Sequence, residues 1–413
     1  MGVALDELIV RADSAVAGLG HAPSTLWQYR WAWARFRVFC CESGTGEFTD
    51  EVAASFLAFV ACEFEQGRLK EWKRKLLRKA VLVLSEVAAT GTYTWSLTRA
   101  RHPNDGLDTA FRPVQERYEQ WLTVQGLARA TQNLYATVSR TVMGWLPEHG
   151  VTGVEHLSPA DMSATVVFLG GSYQPGSMRT VLSALRVWCR FLDEQALRAG
   201  LAPAIPAVSA RRVRSVVVLP AGSVRLLVDS ANPGTATGRR NRAMLLLAAR
   251  TGLRPGDIAG LRLGDIDWRH AQITVVQHKT ATVLRLPLLA EVGAAIADYL
   301  LHGRPTDTGD DHVFLRAQAP HVGLTSSDLY HVAAAAFART PSAAAAGGGR
   351  GMRVLRASLA TRMLEQDTPL PVIAAALGHS GIDSAKHYLG ADEARMRQCC
   401  LSFEGIEPAG AWR

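Results

Sequence analysis

The sequence contains very little lysine. Of its 45 basic residues, 39 are arginines and only 6 are lysines. Four of the six share one short stretch and two stand alone: Lys70, Lys73, Lys75 and Lys79 in the stretch, Lys279 and Lys386 outside it. The arginine bias is typical of a GC-rich genome. Because lysine can give up its proton and arginine cannot, an isolated lysine is a candidate for proton transfer.

Cysteine and cofactor-binding motifs are also scarce. The 6 cysteines include two adjacent pairs, and none shows the C-x-x-C spacing of a zinc or redox site. The sequence also lacks the phosphate-binding motif G-x-x-x-x-G-K-[ST]. We therefore expect reduced, mostly buried thiols, no metal site and no cofactor.

Long apolar runs are missing as well. There is no run of about 18 apolar residues, the length that a membrane-spanning helix needs. The first residues include Asp6 and Glu7 and do not resemble a signal peptide, so we expect a cytoplasmic protein with no membrane partner. With 413 residues, 48% of them hydrophobic, the chain can form two or three domains. Its net charge of +8 favours a polyanionic partner such as nucleic acid.

What the chain does have is the periodicity of helices. In the first half, apolar positions recur at helical spacing in seven segments: 24–42, 49–63, 68–88, 113–126, 129–147, 159–169 and 176–199. The first three segments loosely resemble the last three, and a threonine precedes a tyrosine by four residues at both Thr25/Tyr29 and Thr131/Tyr135. We predict two helical domains, at 1–105 and 112–200. They are either a duplication or two amphipathic bundles that share only a general pattern.

A dense basic stretch lies at 68–79, again at helical spacing. Its four lysines are candidates for DNA phosphate contacts, and a solvated helix face is the alternative: Lys70, Lys73, Lys75 and Lys79. We expect the nearby tryptophans to lie in the core: Trp27, Trp31, Trp33 and Trp72.

The second half is organised differently. A proline-containing linker at 201–218 carries Arg211, Arg212 and Arg214, which either follow a phosphate backbone or occupy a solvated hinge. The alternating segment 272–288 predicts two strands joined by a tight turn. A glycine- and alanine-rich loop at 341–351 precedes a helix that begins near Arg353. We place a further domain at 219–398 and a tail at 399–413, which either docks on a neighbouring subunit or is disordered.

Three segments of this domain carry chemically informative residues. They are TGLRPGDIAGLRLGDID from Thr251, QHKT at 277–280, and RVLRASLATRML…LGHSGIDSAKHY from Arg353 to Tyr388. In this order and spacing they resemble the catalytic domain of the tyrosine recombinase, or phage integrase, family, over about 220–400. A weaker similarity extends to the family's core-binding domain at 112–200. The resemblance implies a mainly α protein with a small β-sheet, in which two helical SAM-like DNA-binding domains precede an α/β catalytic domain.

The resemblance also assigns the phosphate-binding residues. Arg254 and Arg356 match the family's two arginines, and two guanidiniums can clamp one phosphate with bidentate charged hydrogen bonds. Asp257 matches the acidic residue that orients the first arginine, and a helix cap is its alternative.

By the same resemblance, three further residues serve in proton donation, phosphate binding and the attack on the DNA phosphate. Lys279 matches the lysine that protonates the departing 5′ oxygen, although most hairpin lysines are merely solvated. His379 matches a phosphate-binding histidine, and Ser-Gly-Ile-Asp after it breaks the helix so that it and Tyr388 can reach one phosphate. Tyr388 matches the nucleophile that forms a 3′-phosphotyrosine. This covalent ester retains the energy of the broken bond, so rejoining needs no ATP.

The sequence departs from the family pattern at one catalytic position. The family usually has His-x-x-Arg, often with a second histidine after the arginine, where this chain has Arg353-Val-Leu-Arg356 followed by Ala357. An arginine can bind phosphate but cannot accept the tyrosine proton. Slow or partner-assisted cleavage is therefore a hypothesis.

The sequence thus predicts a site-specific recombinase of a mobile element, acting on double-stranded DNA as a tetramer on two sites. Two alternatives remain open. One is a weakly catalytic or non-catalytic DNA-binding subunit that works with related recombinases. The other is a type IB topoisomerase, which uses similar chemistry without a partner site.

Overall fold

The computed structural model describes residues 3–95, 103–207, 217–306, 308–341 and 351–379, together with positions 381, 384, 385 and 388. The chain forms two compact units, one made of 1–96 with 214–413 and the other of 97–213. Helices dominate both units, as the sequence predicts. Among the described helices, none is long and apolar enough to cross a membrane.

The N-terminal part of the first unit is a helical bundle. It has four helices and a two-stranded sheet: α1 (Leu5–Ala17), α2 (Pro23–Glu42), α3 (Asp50–Glu65), α4 (Glu71–Thr90), β1 (Val3–Ala4) and β2 (Glu47–Phe48). Thr49 caps α3 by accepting a hydrogen bond from the backbone N–H of Val52, and Gly91 ends α4 in the left-handed conformation. The helices enclose a core that contains Trp33, Phe36 and Phe56.

The second unit repeats this helical arrangement. Its helices are α5 (Arg112–Thr123), α6 (Arg129–Trp145), α7 (Pro159–Ser172) and α8 (Met178–Glu194). Helix α6 packs on α8 as α2 packs on α4, so equivalent segments pair in both bundles. Ser158 and Asp161 form a capping box that starts α7. The packing agrees with a duplication, and the domain boundaries remain predictions.

The C-terminal part of the first unit carries the remaining helices and a three-stranded sheet. The elements are α9 (Ala221–Asp229), α10 (Ala236–Thr251), α11 (Pro255–Ala259), β3 (Ile266–Asp267), β4 (Gln272–Val276), β5 (Val283–Pro287), α12 (Ala290–His302), α13 (Ser326–Arg339), α14 (Met352–Glu365) and α15 (Leu370–Ala376). The sheet is antiparallel with strand order β3-β4-β5. Of the 16 residues of helix α10, 10 are buried, and α9, α12 and α14 pack on it. Helix α10 therefore supports the segments that carry the site residues.

Some sequence-based expectations were wrong. Trp33 is buried, but Trp27 and Trp72 are 66% and 54% exposed and do not belong to the core. Helix α1 was not predicted, although its apolar side chains pack on α2 and α4. Of the described cysteines, Cys40 and Cys189 are buried and two are exposed. The segments 208–216, 342–350 and 399–413 lie outside the described residues, and so do the linker arginines Arg211, Arg212 and Arg214.

Candidate active site

Arg254 lies in a tight connection between two helices. Gly252 ends α10 in the left-handed conformation with φ of 64°, and Pro255 begins α11. Arg254 is the residue just before α11, and its side chain is 23% exposed. Its Nη2 donates to the carbonyl oxygen of Gly378 at 3.4 Å. Within the part of the chain that the structure describes, its buried Nη1 has no hydrogen-bond partner, and it lies 3.9 Å from a carboxylate oxygen of Asp257.

Asp257 joins this connection to the β4–β5 turn. Its side chain is 2% exposed, and one carboxylate oxygen, Oδ1, accepts from the backbone N–H of His278 at 3.1 Å. The other oxygen lies 3.9 Å from Nη1 of Arg254. Asp257 therefore lies next to Arg254 and also holds the turn that carries Lys279.

Arg356 is buried on α14 beneath the connection. One guanidinium nitrogen, Nη1, donates to the carbonyl oxygen of Gly252 at 2.6 Å, and Nη2 donates to that of Leu377 at 2.9 Å. Burial lowers the pKa of Arg356 from its ordinary value. The guanidinium is thereby fixed between the end of α10 and the loop that follows α15.

Tyr388 reaches Arg356 from the C-terminal side. Tyr388 is 4% exposed, and it lies close enough to the Arg356 guanidinium for the two groups to interact electrostatically. The ring of His379 stacks on Tyr388 with an interplanar angle of 9° and a centroid distance of 6.2 Å. The helix ends at Ala376, before His379, and this end brings the histidine and the tyrosine together. Of the Ser-Gly-Ile-Asp segment, where the sequence predicts the break, only Gly381 is among the described residues.

The two remaining positions with expected catalytic roles are exposed. Lys279 lies at the tip of the β4–β5 turn. Arg353 lies one turn before Arg356 on α14, and its side chain faces solvent. Both are free to approach a ligand from outside, whereas Arg356 and Tyr388 form the buried floor of the site.

Sequence reasoning missed the role of two residues that bind the site together. Gln277 is fully buried, and its carboxamide donates to the carbonyl oxygen of Leu377 at 3.3 Å. Gly378 has φ of 63°, and a Cβ atom on it would lie 2.4 Å from the Gln277 carboxamide. The only available signals were the glutamine at the centre of the predicted hairpin and the glycine in Leu-Gly-His.

Replacing Gly378 by alanine should destabilise the fold. A left-handed backbone costs a non-glycine residue roughly 1–2 kcal/mol, and the new methyl group would also push Gln277 out of place. Thermal unfolding of Gly378→Ala should show a clear loss of stability. Gly381→Ala is the matched control, since a Cβ there meets nothing within 4 Å and its φ is ordinary. Equal melting temperatures for the two variants would contradict this account.

The basic helix α4 carries the other lysines that the sequence singled out. Lys73 Nζ lies 5.5 Å from the ring centroid of Trp31 and 5.6 Å from that of Trp72, and Lys75 forms an ion pair with Glu71 at 3.4 Å. Lys70, just before the helix, is exposed. Lys79 is only partly exposed, 5.2 Å from the ring centroid of Trp95, and burial followed by the charge of Arg316 lowers its pKa. The four lysines therefore do not form one uniform solvated face.

The sequence is similar to that of a known protein family. Residues 218–395 match the phage integrase family. The integrase/recombinase y4rF of Sinorhizobium fredii is 31% identical over 293 residues, which cover 68% of this chain and 67% of that protein. The tyrosine recombinase XerD of Yersinia pestis is 27% identical over 67% of this chain and 92% of its own length.

A solved structure shares the fold. It is described as the XerH site-specific recombinase bound to a palindromic difH substrate in a post-cleavage complex. The TM-score is 0.56 at 15% identity, covering 70% of this chain and 85% of that one. The expected fold class, mainly α with a small sheet, is confirmed. From the family match and the extent of similarity to the rhizobial relative, the chain belongs to the phage integrase family and is a tyrosine recombinase.

Proposed function

We propose that Tyr388 is the nucleophile of a site-specific DNA strand exchange that passes through a 3′-phosphotyrosine. The observation that carries this proposal is the placement of the buried Tyr388 against the His379 ring and beside the buried Arg356 guanidinium, because it puts the attacking oxygen near a fixed positive charge. A phenol with an ordinary pKa of about 10 needs such stabilisation to attack at neutral pH. A DNA phosphate that enters the site would contact both groups.

The other proposed site residues bind the phosphate or donate a proton. The guanidiniums of Arg254 and Arg356 bind the non-bridging oxygens of the phosphate. Tyr388 loses its phenolic proton to water as its oxygen bonds to phosphorus. The bond from phosphorus to the 5′ oxygen breaks, and the Lys279 ammonium donates the proton that this oxygen needs and regains one from solvent. His379, stacked on Tyr388, hydrogen-bonds the same phosphate. Reversal of these steps by a new 5′ hydroxyl rejoins the strands.

The substrate in this proposal is double-stranded DNA, bound by a tetramer on two sites. The net charge of +8 favours a DNA partner, and the XerH structure of the same fold is a DNA complex. We place the protein in the cytoplasm, and its similarity to bacterial integrase/recombinases supports a role in a mobile element. A nicked suicide duplex, which traps the covalent complex because the cut fragment diffuses away, tests the proposal directly. Failure to trap any complex on the cognate site would count against it.

One observation favours a second candidate, a weakly catalytic subunit that acts with related recombinases. At the position where the family usually has histidine, the exposed Arg353 cannot serve as a base, and Ala357 replaces the second histidine. In this case, cleavage by the chain alone would be slow, and a related subunit would accelerate it.

Replacing Arg353 by histidine should separate the two candidates. A neutral imidazole can accept the Tyr388 proton, and a positioned base contributes typically about 10²–10⁴-fold, so we expect at least about a tenfold faster formation of the covalent complex above pH 7. Arg225→Ala, whose side chain is 88% exposed on α9, is the surface control. If Arg353→His is no faster than the parent at any pH, this position does not limit tyrosine activation.

Neutralising the α4 lysines should weaken the dependence of DNA binding on salt. Each phosphate contact contributes about 0.9 to the log–log slope of affinity against salt concentration. We expect a quadruple alanine variant at Lys70, Lys73, Lys75 and Lys79 to have a shallower slope, measured by fluorescence anisotropy at several salt concentrations. Arg225→Ala again serves as the control. An unchanged slope would place these lysines away from the DNA.

A further inference from the structure

We propose that Gln277 is a positioning residue for proton donation, since its buried carboxamide fixes the turn that carries Lys279 against the loop that carries His379. The inference rests on the function proposed above for Lys279. Gln277 itself is fully buried, so it acts through its neighbours and does not touch DNA.

The two ends of the carboxamide bind different segments. Nε2 donates to the carbonyl oxygen of Leu377 at 3.3 Å, and Oε1 accepts from the hydroxyl of Thr280 at 2.9 Å. Thr280 is the residue directly after Lys279. The carboxamide therefore spans from the loop after α15 to the turn itself, and both of its polar atoms are satisfied in a site without water access.

The Leu377 carbonyl connects the turn to Arg356, one of the two proposed phosphate-binding arginines. It accepts from Nη2 of Arg356 at 2.9 Å as well as from Gln277. The next residue, Gly378, lies so close to the carboxamide that a Cβ atom would be 2.4 Å away, and its own carbonyl oxygen accepts from Arg254. The residues that hold both arginines thus also hold Gln277.

The backbone of the turn is anchored on both sides of Lys279. The N–H of Gln277 donates to the carbonyl oxygen of Thr282 at 2.9 Å, and the N–H of Ala281 donates to that of Gln277 at 2.8 Å. Asp257 accepts from the N–H of His278. Lys279 is exposed, so its own side chain contributes little to its placement, and its reach is set by where this anchored turn holds its Cα atom.

Glutamine suits this position better than its isosteres. Glutamate would place an acceptor opposite the Leu377 carbonyl and bury a charge, while methionine would fill the space but remove the hydrogen bonds to Leu377 and Thr280. Since a displacement of about 1 Å can cost on the order of 10²-fold in rate, the loss of these bonds should appear mainly as impaired proton donation by Lys279.

The test compares two leaving groups on a nicked suicide duplex. One substrate has the ordinary bridging 5′ oxygen, and the other has sulfur at that atom, which departs as a thiolate and needs no proton. We expect Gln277→Met to form the covalent complex about 10–100-fold more slowly than the parent with oxygen, and at nearly the parent rate with sulfur. Lys279→Ala should show the same rescue and serves as the reference.

Each outcome has a distinct meaning. If Lys279→Ala is rescued by sulfur but Gln277→Met is equally slow on both substrates, or normal on both, the positioning inference is overturned while the function of Lys279 stands. If Lys279→Ala is not rescued, the proposed proton donor is wrong and the inference falls with it. Should Gln277→Met fail to fold, Thr280→Val removes one bond of the carboxamide. A uniform rate change on both substrates, or none, in that variant would equally overturn the inference.

Discussion

Tyr388→Phe should form no covalent complex with a nicked suicide duplex, while binding the same DNA as the parent does. Phenylalanine keeps the ring that stacks on His379 but removes the oxygen that must bond to phosphorus. A missing nucleophile differs from a missing donor or base, because no neighbouring group can supply the same bond. The measurement is a denaturing gel for the covalent complex beside a gel-shift assay for binding.

The fold of this variant should persist. The Arg356 guanidinium beside the hydroxyl keeps its bonds to Gly252 and Leu377 when the hydroxyl is removed, so the loss of stability should be about 1 kcal/mol. Tyr330→Phe is the matched control, because Tyr330 is 53% exposed on α13 and should tolerate the same change in both assays. Covalent complex formation by Tyr388→Phe at a measurable rate would remove Tyr388 as the nucleophile.

The residues that these experiments probe could be recognised from sequence because their chemistry constrains their identity and order. Thr-Gly-Leu-Arg requires a left-handed glycine to end α10 and a proline to start α11, and the structure has both. Leu-Gly-His needs its glycine for the same reason. Backbone requirements of this kind leave a pattern in a single sequence. The arginine turn was predicted from it, whereas the role of Gly378 before His379 was missed.

Features that depend on contacts between distant segments were not predictable. Asp257 is three residues from Arg254, yet its closest bond is to the backbone of His278 on the hairpin. The polar side chain of Gln277 can be buried because the backbone carbonyl of Leu377, 100 positions later, accepts a hydrogen bond from its carboxamide. Trp27 and Trp72 were expected in the core because tryptophan is large and apolar, but their positions on α2 and α4 turn them outward. Periodicity indicates which face of a helix is apolar, and it does not show which apolar residues have room inside.

Removing either of the two proposed phosphate-binding arginines should slow cleavage to a similar degree, but the two substitutions should lower the stability of the fold by different amounts. Arg254→Ala and Arg356→Ala each remove a charged donor to the developing phosphate charge, which typically costs about 10²–10³-fold in rate. Arg254 is partly exposed, and its hydrogen bond to Gly378 is long at 3.4 Å. Arg356 is buried and donates to two carbonyl oxygens at 2.6 and 2.9 Å.

The loss of stability should therefore be larger for Arg356→Ala. Leaving a buried carbonyl unpaired costs roughly 1–3 kcal/mol, and deleting the side chain opens a cavity beneath Gly252, so we expect this variant to melt at a lower temperature than Arg254→Ala. Arg356→Lys keeps a charge but cannot bridge both acceptors, and it should recover little of either loss. Chemical denaturation and single-turnover cleavage of the three variants supply the comparison. If Arg254→Ala were as unstable as Arg356→Ala, the distinction between a buried, fixed Arg356 and a partly exposed, more loosely held Arg254 would be wrong.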